Sequence, residues 1–240
     1  MLVRLCAERD LDLLRAVGYS VARCGRARRE AGEEFLGRYE SDRRHGLRMA
    51  VLYARMYQFE DEPRSVLTEI RRVLAQPGTP PWAAVADVLS YLWSRSPREM
   101  FRLMPGWLTH RDPRRRWAAL PGLQFPARKD PRAALKVMRL MRGERDPSVR
   151  RVLGRTLAQG LYVRHPLPAL QEMARWLGDG AKSAPAITRS AEREVDRWFS
   201  SGRGSRRQRL QLRRVAAKYE EHRSPAVRAH ARRLVRLLED

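Results

Sequence analysis

The 240-residue sequence predicts an all-α fold, a right-handed α-solenoid of paired helices. Three observations carry this. No stretch alternates apolar and polar residues over the length of a strand, whereas apolar residues recur at three- and four-residue intervals throughout. Pro81, Pro113, Pro147, Pro185 and Pro225 each stand where a helix would open, at intervals of 32, 34, 38 and 40 residues. Each interval has room for a second helix, and a pair of about 30 to 40 residues is the unit from which stacked helical arrays are built.

Residues 2–40 read as two helices, with Leu2, Leu5, Leu11, Leu13, Leu14, Val17 and Val21 at helical spacing and the basic run Arg26 to Arg29 at the break. Residues 44–59 form a better one, through Leu47, Val51, Ala54 and Tyr57. Pro63 opens the next, to about Gln76, and Pro77-Gly78-Thr79-Pro80-Pro81 ends it. Helices then follow at roughly 82–95, 97–109, 113–122, 131–142, 147–161, 167–177, 185–200, 206–221 and 225–238. Asp112-Pro113 and Asp146-Pro147 are helix starts: the carboxylate accepts bonds from free N–H groups and the proline presets φ. Ser201-Gly202-Arg203-Gly204-Ser205 reads as a flexible linker. The whole is one domain, with residues 1–44 as an N-terminal cap, 45–200 as the repeat core and 201–240 as a basic last repeat.

Charge speaks most clearly for function. Fifty Arg and Lys face 27 Asp and Glu, a formal +23 with a pI near 11.4. Self-repulsion of that size opposes compaction, so a polyanionic partner is the economical explanation, nucleic acid ahead of an anionic membrane surface. No run approaches the roughly 18 apolar residues needed to span a bilayer, and the first residues lack the apolar core of a signal peptide. A cytoplasmic, nucleoid-associated monomer is the expectation. Cys6 and Cys24 make neither a disulfide framework nor a zinc site and read as buried thiols. The five histidines are scattered without metal-ligand spacing, and no phosphate-cradling glycine motif occurs, so neither metal nor cofactor is expected.

Arg114, Arg115, Arg116, Arg150, Arg151 and Arg155 emerge from equivalent parts of adjacent pairs. In a solenoid such positions share one face, so their fields add along a line suited to a phosphate backbone. Each alone reads equally as a solvated helix face. Trp82 and Trp117 sit on first helical turns, where an aromatic either projects into a cleft or staples the preceding helix. Trp93, Trp107, Trp176 and Trp198 lie on apolar stripes and read as core.

The Asp-Pro-x-x-Arg and Ser-Pro-x-Val-Arg starts look like HEAT repeats. Residues 45–180 resemble the DNA alkylation repair family, the HEAT-like-repeat alkylpurine DNA glycosylases. The carriers are Trp82-Ala83-Ala84-Val85-Ala86-Asp87-Val88-Leu89, His110-Arg111-Asp112-Pro113 through Ala119, Val149 through Leu157, and Pro166 to Trp176. The resemblance implies a C-shaped array with a basic concave face that grips duplex DNA, and tryptophans and one carboxylate at the lesion. An N3- or N7-alkylated purine is cationic and already a good leaving group. A carboxylate that stabilises the oxocarbenium-like sugar and guides a water then suffices. Asp87 is the candidate. Aligned from Trp82, the family's catalytic Asp falls on Ala86, one residue or about 100° away around a helix. A family tryptophan falls on Arg155, and a family arginine on Trp117. Two readings therefore stand: a glycosylase acting through Asp87, or a DNA-binding relative without the chemistry, in which Asp87 is a salt-bridged structural residue. Association with RNA or an acidic protein is a third and weaker one.

Overall fold

The computed structural model describes residues 10–27, 29–42, 44–59, 62–75 and 82–239. Residues 1–9, with Cys6, and the break at Pro77 to Pro81 lie outside them. Every regular element among the described residues is helical. The chain divides into two compact units, residues 1–100 and 101–240.

The first unit holds α1 (Leu11–Ala27), α2 (Arg29–Tyr39), α3 (His45–Gln58), α4 (Pro63–Ala75) and α5 (Trp82–Arg95), with the start of α6 (Pro97–Leu103). α3 is its centre, packing on α1, α2, α4 and α5. Its residues Gly46 to Met56 are all buried, which explains why its apolar residues are not confined to one stripe. Helices α1 and α3 meet closely because Gly18 has no side chain: a Cβ there would lie 2.4 Å from Cβ of Tyr53 and 2.9 Å from the Ala50 carbonyl oxygen.

The second unit continues with α7 (Pro105–Leu108), α8 (Pro113–Ala119), α9 (Gln124–Ala127), α10 (Pro131–Met138), α11 (Pro147–Leu157), α12 (Pro166–Gly178), α13 (Ala184–Ser200), α14 (Arg206–Ala217) and α15 (Pro225–Leu237). Its packing order is α8 on α11, α11 on α13 and α13 on α15, beside a second series of α10 on α12 and α12 on α14. The helices opened by Pro113, Pro147, Pro185 and Pro225 thus line up as one layer, and the helices between them form the other. Each layer buries an apolar stripe against its neighbours, Val149, Leu153 and Leu157 on α11 and Ile187, Ala191 and Val195 on α13 being almost wholly covered.

Asp112 caps α8 by accepting the Arg114 N–H, and Asp146 caps α11 by accepting those of Ser148 and Val149. Two further caps were equally readable: Asp130 accepts the Ala133 N–H at α10, and Ser205 with Gln208 forms a capping box at α14. Four expected helices differ from their pattern: 113–122 and 131–142 each end in a 3-10 turn, 206–221 stops at Ala217, and 97–109 is broken at Met104, where Pro105 starts a new turn. Helix α11 instead runs on through a π turn, Ala158–Tyr162, where Gly160 lies close to Ala127 and Gln124.

Three expectations are corrected. Cys24 is exposed, because it falls at the margin of the stripe made by Leu14, Val17 and Val21. Trp198 is only half-buried, on the last turns of α13, whereas Trp93, Trp107 and Trp176 are core. The segment 201–205 is a tight turn rather than a loose linker. Gly202 adopts φ 71°, the N–H of Arg203 bonds the Trp198 carbonyl at 3.2 Å, and Gly204 sits against the Phe199 ring.

Candidate nucleic-acid interface

Asp87 projects from α5 and ties three helices of the first unit together. Its Oδ2 accepts from Arg15 Nε at 3.0 Å, Arg15 Nη2 at 2.5 Å and the Tyr53 hydroxyl at 2.9 Å. Arg15 belongs to α1 and Tyr53 to α3, and the Arg15 guanidinium also lies 5.9 Å from the Tyr53 ring centroid. Tyr53 is fully buried, and burial together with the neighbouring Asp87 charge pushes its phenol far above the usual range. Oδ1 accepts no bond from any described residue, and the Asp87 side chain is 29% exposed. Trp82 is the first residue of α5, half-buried, and Ala86 is covered. Sequence reasoning missed Arg15 and Tyr53, because nothing local marks residues 72 and 34 positions away as partners.

The charge is divided unevenly. The first unit has 17 Arg and Lys against 14 Asp and Glu, the second 33 against 13, so +20 of the +23 belongs to residues 101–240. All six arginines singled out from the sequence lie in this second unit, but their surroundings differ. Arg116 is engaged by protein: Nε and Nη2 reach the buried Glu144 carboxylate at 2.6 and 2.8 Å, and Nη1 donates to the His110 and Arg111 carbonyls. Arg155 is half-exposed and 3.5 Å from Glu194 of α13. Arg114 folds onto its own cap, Asp112, at 3.1 Å, and Arg115 lies 5.7 Å from the Trp107 ring centroid. The side chains of Arg150, half-buried, and Arg151, exposed, have no partner among the described residues. Trp117 is half-buried on α8.

Buried glutamates, which the sequence reading passed over, account for much of this. Glu172 of α12, 2% exposed, accepts from Arg139 and Arg175 and from Trp176 Nε1 at 2.8 Å. Glu192 of α13 accepts from His230 Nδ1 and Arg233 of α15, while the other ring nitrogen of His230 meets the Tyr162 hydroxyl at 2.9 Å. Burial alone would raise the carboxyl groups of Glu144, Glu172 and Glu192. The hydrogen-bonded cations outweigh it and hold all three below the usual glutamate value. So part of the arginine excess stitches one helical pair to the next.

A signal for two of these contacts was in plain sight. His110-Arg111-Asp112-Pro113 with Arg116, and His222-Arg223-Ser224-Pro225 with Arg228, have one spacing and one geometry. In each the His Nδ1 accepts the N–H two residues on, at 3.0 and 3.1 Å. In each the Arg six residues on donates to the carbonyls of the His and the following Arg.

No cluster of three or more metal-ligating side chains occurs, and no helix is long and apolar enough to cross a membrane, among the described residues. The chain matches no protein-family model, no curated protein and no solved structure.

Proposed function

We propose that the protein binds duplex DNA through its second unit, as a HEAT-like-repeat protein of alkylation repair. The observation that carries this is the +20 on 140 residues, which remains large after the buried Arg–Glu pairs are set aside. Backbone phosphates are the partner such a surface favours, and release of their counterions makes binding steeply salt-dependent. Fluorescence anisotropy with a labelled duplex tests it. Affinity should fall by about 10³-fold or more between about 50 and about 200 mM salt with little sequence preference. Binding indifferent to salt would overturn the proposal.

A second reading, base excision, is favoured by the Asp87 geometry. A carboxylate whose Oδ2 is fixed by Arg15 and Tyr53 presents Oδ1 in a set position. That oxygen suits stabilisation of an oxocarbenium-like sugar as a cationic alkylpurine leaves, and guidance of a water to the anomeric carbon. With excess protein under single-turnover conditions, duplex containing N7-methylguanine should release the base, and Asp87→Asn should abolish release while duplex affinity is kept. If the native protein releases none, Asp87 is a structural tie and the binding reading stands alone.

A further inference from the structure

Between the segment that enters α11 and the segment that enters α13 lies a cleft of about 450 Å³, lined by Arg142, Glu144, Arg145, Arg150, Asp179 and Lys182 among others. Its charges are not all available. Glu144 is bound by Arg116, and Arg142 pairs with Asp179 at 3.2 Å. Asp146, beside it, is committed to capping α11. The remaining three, Arg145, Arg150 and Lys182, have no side-chain partner among the described residues. Arg150 is the telling one. It occupies the slot that Arg116 and Arg228 occupy in the other two starts, six residues after His110 and His222. Those two arginines are consumed by backbone carbonyls. In the middle start Glu144 replaces the histidine, its Oε1 accepts the Arg145 and Asp146 N–H groups, and Arg150 is left facing the cleft.

We propose that this cleft is a phosphate-binding notch, in which Arg145, Arg150 and Lys182 converge on one tetrahedral phosphate group. On the duplex-binding reading above, that group is a phosphodiester of the DNA backbone. Two guanidiniums and an ammonium supply donors from three sides, as an acceptor with several oxygens demands. The lips are short loops held by protein contacts: Ser183 Oγ bonds the Arg142 carbonyl, and Gly180, at φ 69°, turns the chain after α12 so that Lys182 returns over the cleft.

The test compares Arg145→Gln/Arg150→Gln/Lys182→Gln with a triple of equal charge on exposed residues elsewhere in the unit, Arg189→Gln/Arg193→Gln/Arg232→Gln. The notch predicts that the first triple loses about tenfold or more in duplex affinity and, because a single phosphate contact is lost, about one unit of log–log salt slope. The second should lose no more than about threefold. Tripolyphosphate is the probe for a free phosphate. If the native protein ignores duplex but binds tripolyphosphate and the first triple does not, the notch stands and the duplex reading falls. Equal losses in the two triples, or retained affinity of the first for both ligands, overturn the notch. A measurement without variants guards against misfolding. The chain has four lysines, and Lys129, Lys136 and Lys218 are as exposed as Lys182. Tripolyphosphate should shield Lys182 alone from acetic anhydride, and uniform labelling with and without it would sink the proposal.

Discussion

Tyr53 has no route to solvent, so its hydroxyl depends on Asp87 for an acceptor. Asp87→Ala strands that hydroxyl and should cost roughly 1–3 kcal/mol, and Tyr53→Phe in the same chain should recover part of it. Chemical denaturation of the single and double variants checks this. No recovery would mean that the Arg15 contact, not the phenol, is what Asp87 serves. Arg116→Ala leaves the Glu144 carboxylate buried without its cation, at a cost of about 3–5 kcal/mol. The same change at Arg114, on the exposed flank of α8, should leave the melting temperature unchanged. Both arginines stand in one run of three, and composition cannot tell them apart. What separates them is Glu144, 28 residues further on.

At the level of elements, most helices and their starts were legible, though not the break before Pro105 or the short helix Gln124–Ala127. Proline and aspartate act within one turn, so the openings at Pro113, Pro147 and Pro225 follow from local chemistry alone. The endings at α8 and α10 were not, because they depend on which neighbour the last turn meets. Nor were the partners of Asp87, since the pairing of α1, α3 and α5 is a tertiary fact. Two glycines mark where helices touch most closely, Gly18 against Tyr53 and Gly154 against Ser190. Gly18→Ala must push α1 off α3 and should destabilise by roughly 1–3 kcal/mol or more. Gly178→Ala, at the open end of α12 where a Cβ meets nothing within 4 Å, should be neutral or mildly stabilising by about 0.5–1 kcal/mol. Thermal unfolding of the two variants separates these outcomes.

For the whole molecule, the uneven charge gives the units different dependences on solution conditions. Self-repulsion burdens residues 101–240 far more than residues 1–100, and salt screens it. Hydrogen exchange followed peptide by peptide should therefore show protection rising with moderate salt in the second unit and hardly changing in the first. Acid acts in the opposite sense. Glu144, Glu172 and Glu192 have lowered folded-state values, so the stability they contribute is complete above the usual glutamate value of 4.5 and is lost as pH falls through the folded values. The melting temperature should drop between about pH 5 and about pH 3, and less steeply in Glu172→Gln, whose loss is already taken at neutral pH.

Gly154 has a consequence beyond stability. It sits seven residues into α11, and Ser190, which it touches, sits six residues into α13. The two loops that feed those helices are therefore held a fixed distance apart by the absence of one methyl group. Arg150 and Lys182 stand on opposite jaws of that calliper. A bulkier residue at 154 would push the two jaws apart without altering a single charge, so on the notch proposal it should weaken phosphate binding while the net charge stays the same.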